Sequence, residues 1–194
     1  MTTFLIPFKG LVGAKTRWGM QAEERQTVLQ NLLEHNLSTV AQVVGASSTV
    51  LVCPDASVFS RFPRYTSYLC PGNGLNSDLE SARSALAPQG AMAVLLPDLP
   101  ELSSQDIEAM IESASRADVT LCPDRAKVGT NGLALAPGVR FPFLFEGASF
   151  QRHLQAARDR GYRVEALERP GLAYDADFAS DLFPQLHRTE DLTR

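Results

Sequence analysis

Apolar residues recur along this chain with two periods. From residue 21 to 44, Val28, Leu29, Leu32, Leu33, Leu37, Val40, Val43 and Val44 keep helical spacing, which predicts one long helix. Shorter helical patterns cover 76–87, with Leu79, Ala82 and Leu86 on one face, 149–160, which stops at Gly161, and 178–186. Another starts at Ser103 and continues through Ile107, Met110, Ile111 and Ala114. Between these patterns lie short apolar runs that predict strands at 4–6, 48–53, 91–96, 118–122, 132–136 and 163–167, with a weaker one at 65–69. Strands that alternate with helices, several of them continuously apolar, predict an α/β fold with a mainly parallel sheet covered on both faces. We expect one domain over residues 1–194. In such folds ligands bind beyond the carboxyl ends of the strands. The run at 91–96 ends on Pro97-Asp98-Leu99-Pro100, which puts a carboxylate at that edge.

Composition narrows the class without naming a chemistry. Hydrophobic residues make up 44% and charged residues 21%, as in an ordinary globular protein. A net charge of −4 argues against nucleic acid as a partner, because phosphate binding leaves a basic footprint. No apolar run approaches the roughly 20 residues of a membrane span. Residues 1–7 lack a basic start and a small-residue cleavage site, so the expectation is a first strand and not a leader. Cys53, Cys70 and Cys122 lack metal-ligand spacing and are expected as small core residues in a reducing cytoplasm. His35, His153 and His187 are scattered, which disfavours a histidine-bound metal or a triad enzyme; His35 and His153 are expected in solvent or packing roles.

Four stretches fall where a ligand-binding edge is expected. Residues 6–18, "IPFKGLVGAKTRW", place Lys9, Lys15 and Arg17 among glycines, either to neutralise a polyphosphate or as a solvated basic loop. Residues 71–79, "PGNGLNSDL", put Gly72, Gly74 and Asn76 before a helix, to read a base edge or simply to cap it. Residues 123–135, "PDRAKVGTNGLAL", offer Thr130 and Asn131 as anion donors or as part of a turn. Residues 171–182, "GLAYDADFASDL", carry Asp175 and Asp177 on one face of an extended segment. Two such carboxylates repel unless a cation lies between them. With Asp98 they make an oxygen-ligand set suited to magnesium. The bland alternative is an acidic turn with Asp177 as a helix cap.

Taken together, the stretches resemble the 2-phospho-L-lactate guanylyltransferases of deazaflavin coenzyme biosynthesis, relatives of the molybdenum-cofactor guanylyltransferases. The resemblance spans nearly the whole chain. It runs through "IPFKGLVGAKTR", "AEER", "GLN" at 74–76, "DLP" at 98–100, "PDR" and "GTN" at 123–131, "SFQRHLQAA" at 149–157 and "YDADFASDL" at 174–182. It implies a Rossmann-like, glycosyltransferase-A-like nucleotidyltransferase fold, a three-layer sandwich. It also implies that Asp98, Asp175 and Asp177 hold Mg2+, and that Lys9, Lys15 and Arg17 surround the nucleotide phosphates, with Lys15, Arg17 and Asp98 catalytic. Gly74 and Asn76 would address guanine. Thr130, Glu146, Gly147 and Ser149 would face the phosphorylated acid. The implied reaction joins GMP from GTP to the phosphate of 2-phospho-L-lactate, phosphoenolpyruvate or 3-phosphoglycerate, with release of pyrophosphate.

Two positions depart from the family pattern. Residues 143–149 read "FLFEGAS", with Glu146 where the family favours glycine, and Trp18 stands where it favours leucine. A carboxylate beside an anionic substrate repels it unless it points away or meets a cation. The rivals to the main reading are a related transferase with another nucleotide or acceptor, and a non-catalytic nucleotide-binding homologue. A homodimer, common among soluble enzymes, is a candidate assembly.

Overall fold

The computed structural model describes residues 1–11 and 15–182. The strands are β1 (Thr2–Pro7), β2 (Thr49–Cys53), β3 (Thr66–Leu69), β4 (Ala91–Leu95), β5 (Val119–Pro123), β6 (Thr130–Leu135) and β7 (Val164–Ala166). The helices are α1 (Ala22–Val44), α2 (Ala56–Phe59), α3 (Leu75–Leu86), α4 (Ser104–Arg116), α5 (Ser149–Asp159) and α6 (Pro170–Ala173). The strands form one sheet in the order β3-β2-β1-β4-β6-β5-β7. All pairings are parallel except those of β6, which runs antiparallel to both β4 and β5.

Strand alternation divides the core into two layers. Phe4, Ile6, Ala93 and Leu95 point to one face, where they meet Leu33, Leu37 and Val40 of α1 and Ile107 and Met110 of α4. Leu5, Met92 and Val94 point to the other and meet Leu79 and Ala82 of α3 and Phe150 and Ala157 of α5. The result is the three-layer sandwich that the apolar runs predict: strands buried on both faces must be apolar throughout. α4 begins with a capping box, in which Ser103 N–H and Oγ–H both donate to Asp106 Oδ2 at 3.0 and 2.5 Å. No described helix is long and apolar enough to cross a membrane.

Four elements differ from expectation. β6 starts at Thr130, two residues earlier than its apolar run, because Thr130 and Asn131 are buried polar residues that a hydropathy pattern does not score as strand. α2 and α6 are single turns, too short to show a period; Asp55 caps α2 by accepting from Ser57 N–H at 2.9 Å. Of the helix expected at 178–186, the described part is a 3-10 turn, Ala179–Leu182; residues 183–186 and His187 lie outside the described residues.

β1 and β4 are neighbours, yet β1 is followed by β2 on its other side. The carboxyl ends of β1 and β4 therefore flank a topological switch point, where doubly wound sheets open a crevice.

Candidate active site

A cavity of about 740 Å³ opens at this switch point. It follows the sheet edge from Leu96–Asp98 after β4, across Pro7–Gly10 after β1 and Val52 and Pro54 around the end of β2, to Cys70 after β3. Lys9 and Lys15 bring positive charge, while Phe8, Val52, Pro54 and Leu96 make apolar wall. Gly72, Gly74, Leu75 and Asp78 line it beyond β3. Asp78 shapes that rim: its Oδ1 accepts from the N–H groups of Gly72 and Asn73 at 2.9 and 3.1 Å. Gly72 (φ 78°) and Gly74 (φ 106°) take backbone angles that a side chain would strain. Burial, with Asp78 nearby, pushes the Cys70 thiol up to about 11, so it is a wall and not a nucleophile.

Beside Lys15 the chain gathers three carboxylates. Asp98, Asp175 and Asp177 each offer an oxygen within 4.8 Å of the others. Asp98 is presented by β4 through Pro97, which has no N–H to continue the ladder. Its neighbour Leu99 is fully buried, and the Leu99 carbonyl accepts from Asn36 Nδ2 of α1 at 3.2 Å. The Asp175–Asp177 turn is docked from several sides. Ala176 N–H donates to the Asp98 carbonyl at 2.8 Å. Asn131 Nδ2 donates to the Leu172 carbonyl at 3.0 Å and reaches Asp175 Oδ1 at 3.5 Å. Upstream, Arg169 Nε donates to the buried Asp106 Oδ1 at 2.6 Å, and a Cβ on Gly171 would run into the same carboxylate.

The cluster is electrostatically loaded. Lys15 Nζ lies 2.7 Å from Asp98 Oδ2 and 2.9 Å from Asp177 Oδ1. Burial alone would depress the Lys15 ammonium, but Asp98 and Asp177 outweigh it and raise it above its usual value. Burial raises the Asp175 carboxyl, and the charges of Asp98 and Asp177 add to that. Among the described residues, Asp98 Oδ1 is buried without a hydrogen-bond partner. An orphaned carboxylate oxygen inside an all-oxygen donor set fits a hard divalent cation such as magnesium. Lys15 sits in left-handed backbone (φ 49°), uncommon for a residue with a side chain, and this points its amine into the cluster's reach.

The residues expected at the acid substrate surround a loop between β6 and α5. Phe141, Phe143 and Phe145 are buried there, and the backbone is pinned by three side chains. Arg83 Nη1 donates to the Phe141 carbonyl at 2.6 Å, Asn76 Oδ1 accepts from Phe145 N–H at 2.7 Å, and His153 Nε2 accepts from Leu144 N–H at 3.0 Å. With Nε2 accepting, His153 Nδ1 carries the proton and faces Thr130 Oγ1 at 3.0 Å. Burial pushes His153 down to about 4, aided by the charge of Arg152, so the ring is neutral. Ser149 is buried at the start of α5, its N–H donating to the Gly147 carbonyl at 2.8 Å. Glu146 is exposed, and its carbonyl accepts from Arg152 Nη1 at 3.1 Å.

Comparison with known proteins agrees with this architecture. The family described as "Guanylyl transferase CofC like" matches residues 2–192. The chain belongs to the CofC-like guanylyltransferase family. It is 34% identical to a phosphoenolpyruvate guanylyltransferase of Sphaerobacter thermophilus, over 94% of this chain and 91% of that one. It is 32% identical to a 2-phospho-L-lactate guanylyltransferase of Methanopyrus kandleri, over 92% and 88%. A solved nucleotidyl transferase from Methanothermobacter thermautotrophicus shares the fold at TM-score 0.69 and 15% identity, covering 100% of this chain and 99% of that one. The protein is therefore a nucleotidyltransferase by fold and an enzyme of the guanylyltransferase family.

Within this CofC-like enzyme the expected residues fall into two groups. Lys9, Lys15, Gly74 and Asp98 share the cavity, and Asp175 and Asp177 join Asp98 and Lys15 at the carboxylate cluster. Arg17 is exposed and Asn76 spends its amide oxygen on Phe145, and among the described residues neither lines the cavity. Thr130, Glu146, Gly147 and Ser149 cluster around the aromatic loop and α5 instead. Sequence reasoning missed Asp78, His153 and Asn131 as organisers. Asp78 and His153 lie among polar helical neighbours and Asn131 directly follows Thr130, so hydropathy does not single them out.

Proposed function

We propose that this enzyme transfers GMP from GTP to the phosphate of a small phosphorylated acid, with phosphoenolpyruvate the favoured acceptor and 2-phospho-L-lactate or 3-phosphoglycerate its rivals. The product is an acid–guanosine diphosphate of the kind that deazaflavin coenzyme biosynthesis consumes. The observation that carries this reading is the carboxylate cluster with its orphaned Asp98 oxygen, set beside a cation-lined cavity at the switch point. Relatives named for phosphoenolpyruvate and for 2-phospho-L-lactate, at 34% and 32% identity, support the acceptor class.

The chemistry follows from charge and position. An acceptor phosphate oxygen attacks the α-phosphorus of GTP, and the bond to pyrophosphate breaks. The acceptor is already anionic, so no general base is needed, in keeping with a His153 that is buried and neutral. Asp98, Asp175 and Asp177 would hold magnesium, which supplies positive charge to the phosphate oxygens when bound. Lys9 and Lys15 line the cavity where the triphosphate would lie, and Arg17 extends the same basic loop. They offset charge that builds on the leaving pyrophosphate. The Gly72–Leu75 rim offers backbone groups to the base. His153 holds Thr130 and the aromatic loop in place for the acid. Three free, buried cysteines support a reducing cytoplasm as the working compartment.

Asp98→Asn tests the reading. We expect pyrophosphate release to fall by about two orders of magnitude or more, with the melting temperature held, because one charge of the cluster is gone while the fold is not. Near-normal turnover in that variant would remove Asp98 from the metal site.

A further inference from the structure

We infer that Trp18 is a positioning residue for the carboxylate cluster: its indole N–H fixes the Asp175–Asp177 turn against Asp98 and ties that turn to the loop bearing Lys15 and Arg17. The inference rests on the metal reading of that cluster. Trp18 closes the 3-10 turn Thr16–Trp18, and its backbone N–H donates to the Lys15 carbonyl at 3.1 Å. Its ring is 5% exposed and packs with Leu29 and Leu32 of α1 and with Ala176. Nε1–H donates to the Ala176 carbonyl at 3.0 Å, across 158 residues of sequence.

Ala176 is the residue between the two aspartates, and it is fully buried. Its N–H is committed to the Asp98 carbonyl at 2.8 Å and its carbonyl to Trp18. Both peptides that carry Asp175 and Asp177 are thereby held, one from the β4 side and one from the basic loop. A smaller ring without the N–H would keep part of the packing, but it would leave the buried Ala176 carbonyl unpaired and free the turn to rotate. Groups that orient metal ligands in this way typically change metal affinity when removed, whereas packing alone changes stability.

The test is direct Mn2+ binding to the full chain without nucleotide, read by the paramagnetic signal of free Mn2+, beside a thermal melt. Trp18→Phe keeps an aromatic ring, though a smaller one, and loses the donor, and should weaken Mn2+ binding about tenfold. Leu32→Ala cuts the same apolar cluster, and should lower the melting temperature with Mn2+ affinity unchanged. Equal Mn2+ affinity in Trp18→Phe and the parent protein would overturn the inference. No Mn2+ binding by the parent protein would instead overturn the metal reading, and this inference with it. Should Trp18→Phe fail to fold, the chain's one tryptophan gives a second readout in the parent protein. Trp18 emission should change along the Mg2+ binding isotherm measured by calorimetry. Flat emission through saturation would overturn the inference.

Discussion

Lys15 is one ammonium shared by two carboxylates of a three-carboxylate cluster. On the proposed reading a divalent ion and Lys15 would compete for the same oxygens, while a triphosphate would offer Lys15 a new partner. Lys15→Met should therefore tighten Mn2+ binding in the absence of GTP by about tenfold, while lowering turnover by about two orders of magnitude. Calorimetry and a pyrophosphate assay on the same variant check both halves; weaker Mn2+ binding would refute the competition. Asp98 was legible in sequence because an apolar strand that stops on Pro-Asp-Leu-Pro must present that carboxylate at the sheet edge. Asp175 and Asp177 were legible as two carboxylates two residues apart, but the segment that joins them is a turn, with Asp177 N–H donating to the Asp175 carbonyl at 3.1 Å, and not the extended stretch expected. The pairing of Lys15 with Asp177 was not legible, since that bridge spans 162 residues between two loops that no periodicity relates. Asn76 shows the converse: its place at a glycine-rich rim suggested base recognition, but its oxygen is taken by Phe145 N–H.

Two elements without regular pattern hold the site together, and each has a measurable weakness. The aromatic loop hangs on His153, which is fully buried and pushed down to about 4 from an ordinary 6.5. The unfolded chain takes up a proton on this residue as pH falls through 6.5, and the folded chain does not until about 4. The stability that neutral His153 confers is complete above 6.5 and is lost across that window, up to about 3 kcal/mol. Denaturant melts from pH 7 to 4 should show this slope, and His153→Gln, though less stable at pH 7, should flatten it. An unchanged slope would mean that His153 is not the titrating group. The second element is α6, which approaches the segment leading into α4 so closely that a Gly171 Cβ would lie 2.7 Å from the Glu101 carbonyl. Gly171→Ala should cost about 1–3 kcal/mol by denaturant melt and weaken Mn2+ binding, because the same turn leads into Asp175. Long helices such as α1 announced themselves by spacing. These two elements did not, because a pinned loop and a single helical turn have no period to read.

At the scale of the molecule, the alternation of apolar runs and helical patterns was enough to give a mainly parallel sheet inside two helical layers. What it could not give was the reversal of β6, since a strand's direction is set by its neighbours and not by its own residues. That reversal has a consequence for the site. It runs Thr130 and Asn131 back alongside the end of β4, where Leu96 N–H donates to the Asn131 carbonyl at 2.9 Å and Asn131 reaches the Asp175 turn. The fold thus converges three segments, far apart in sequence, on one edge of the sheet, and the account stands on what that edge does. The most direct measurement is pyrophosphate release from GTP and Mg2+ across phosphoenolpyruvate, 2-phospho-L-lactate and 3-phosphoglycerate. The account predicts release that requires one of these acids and stops on chelation of the metal. Silence with every acid, from protein that still binds GTP, would contradict it.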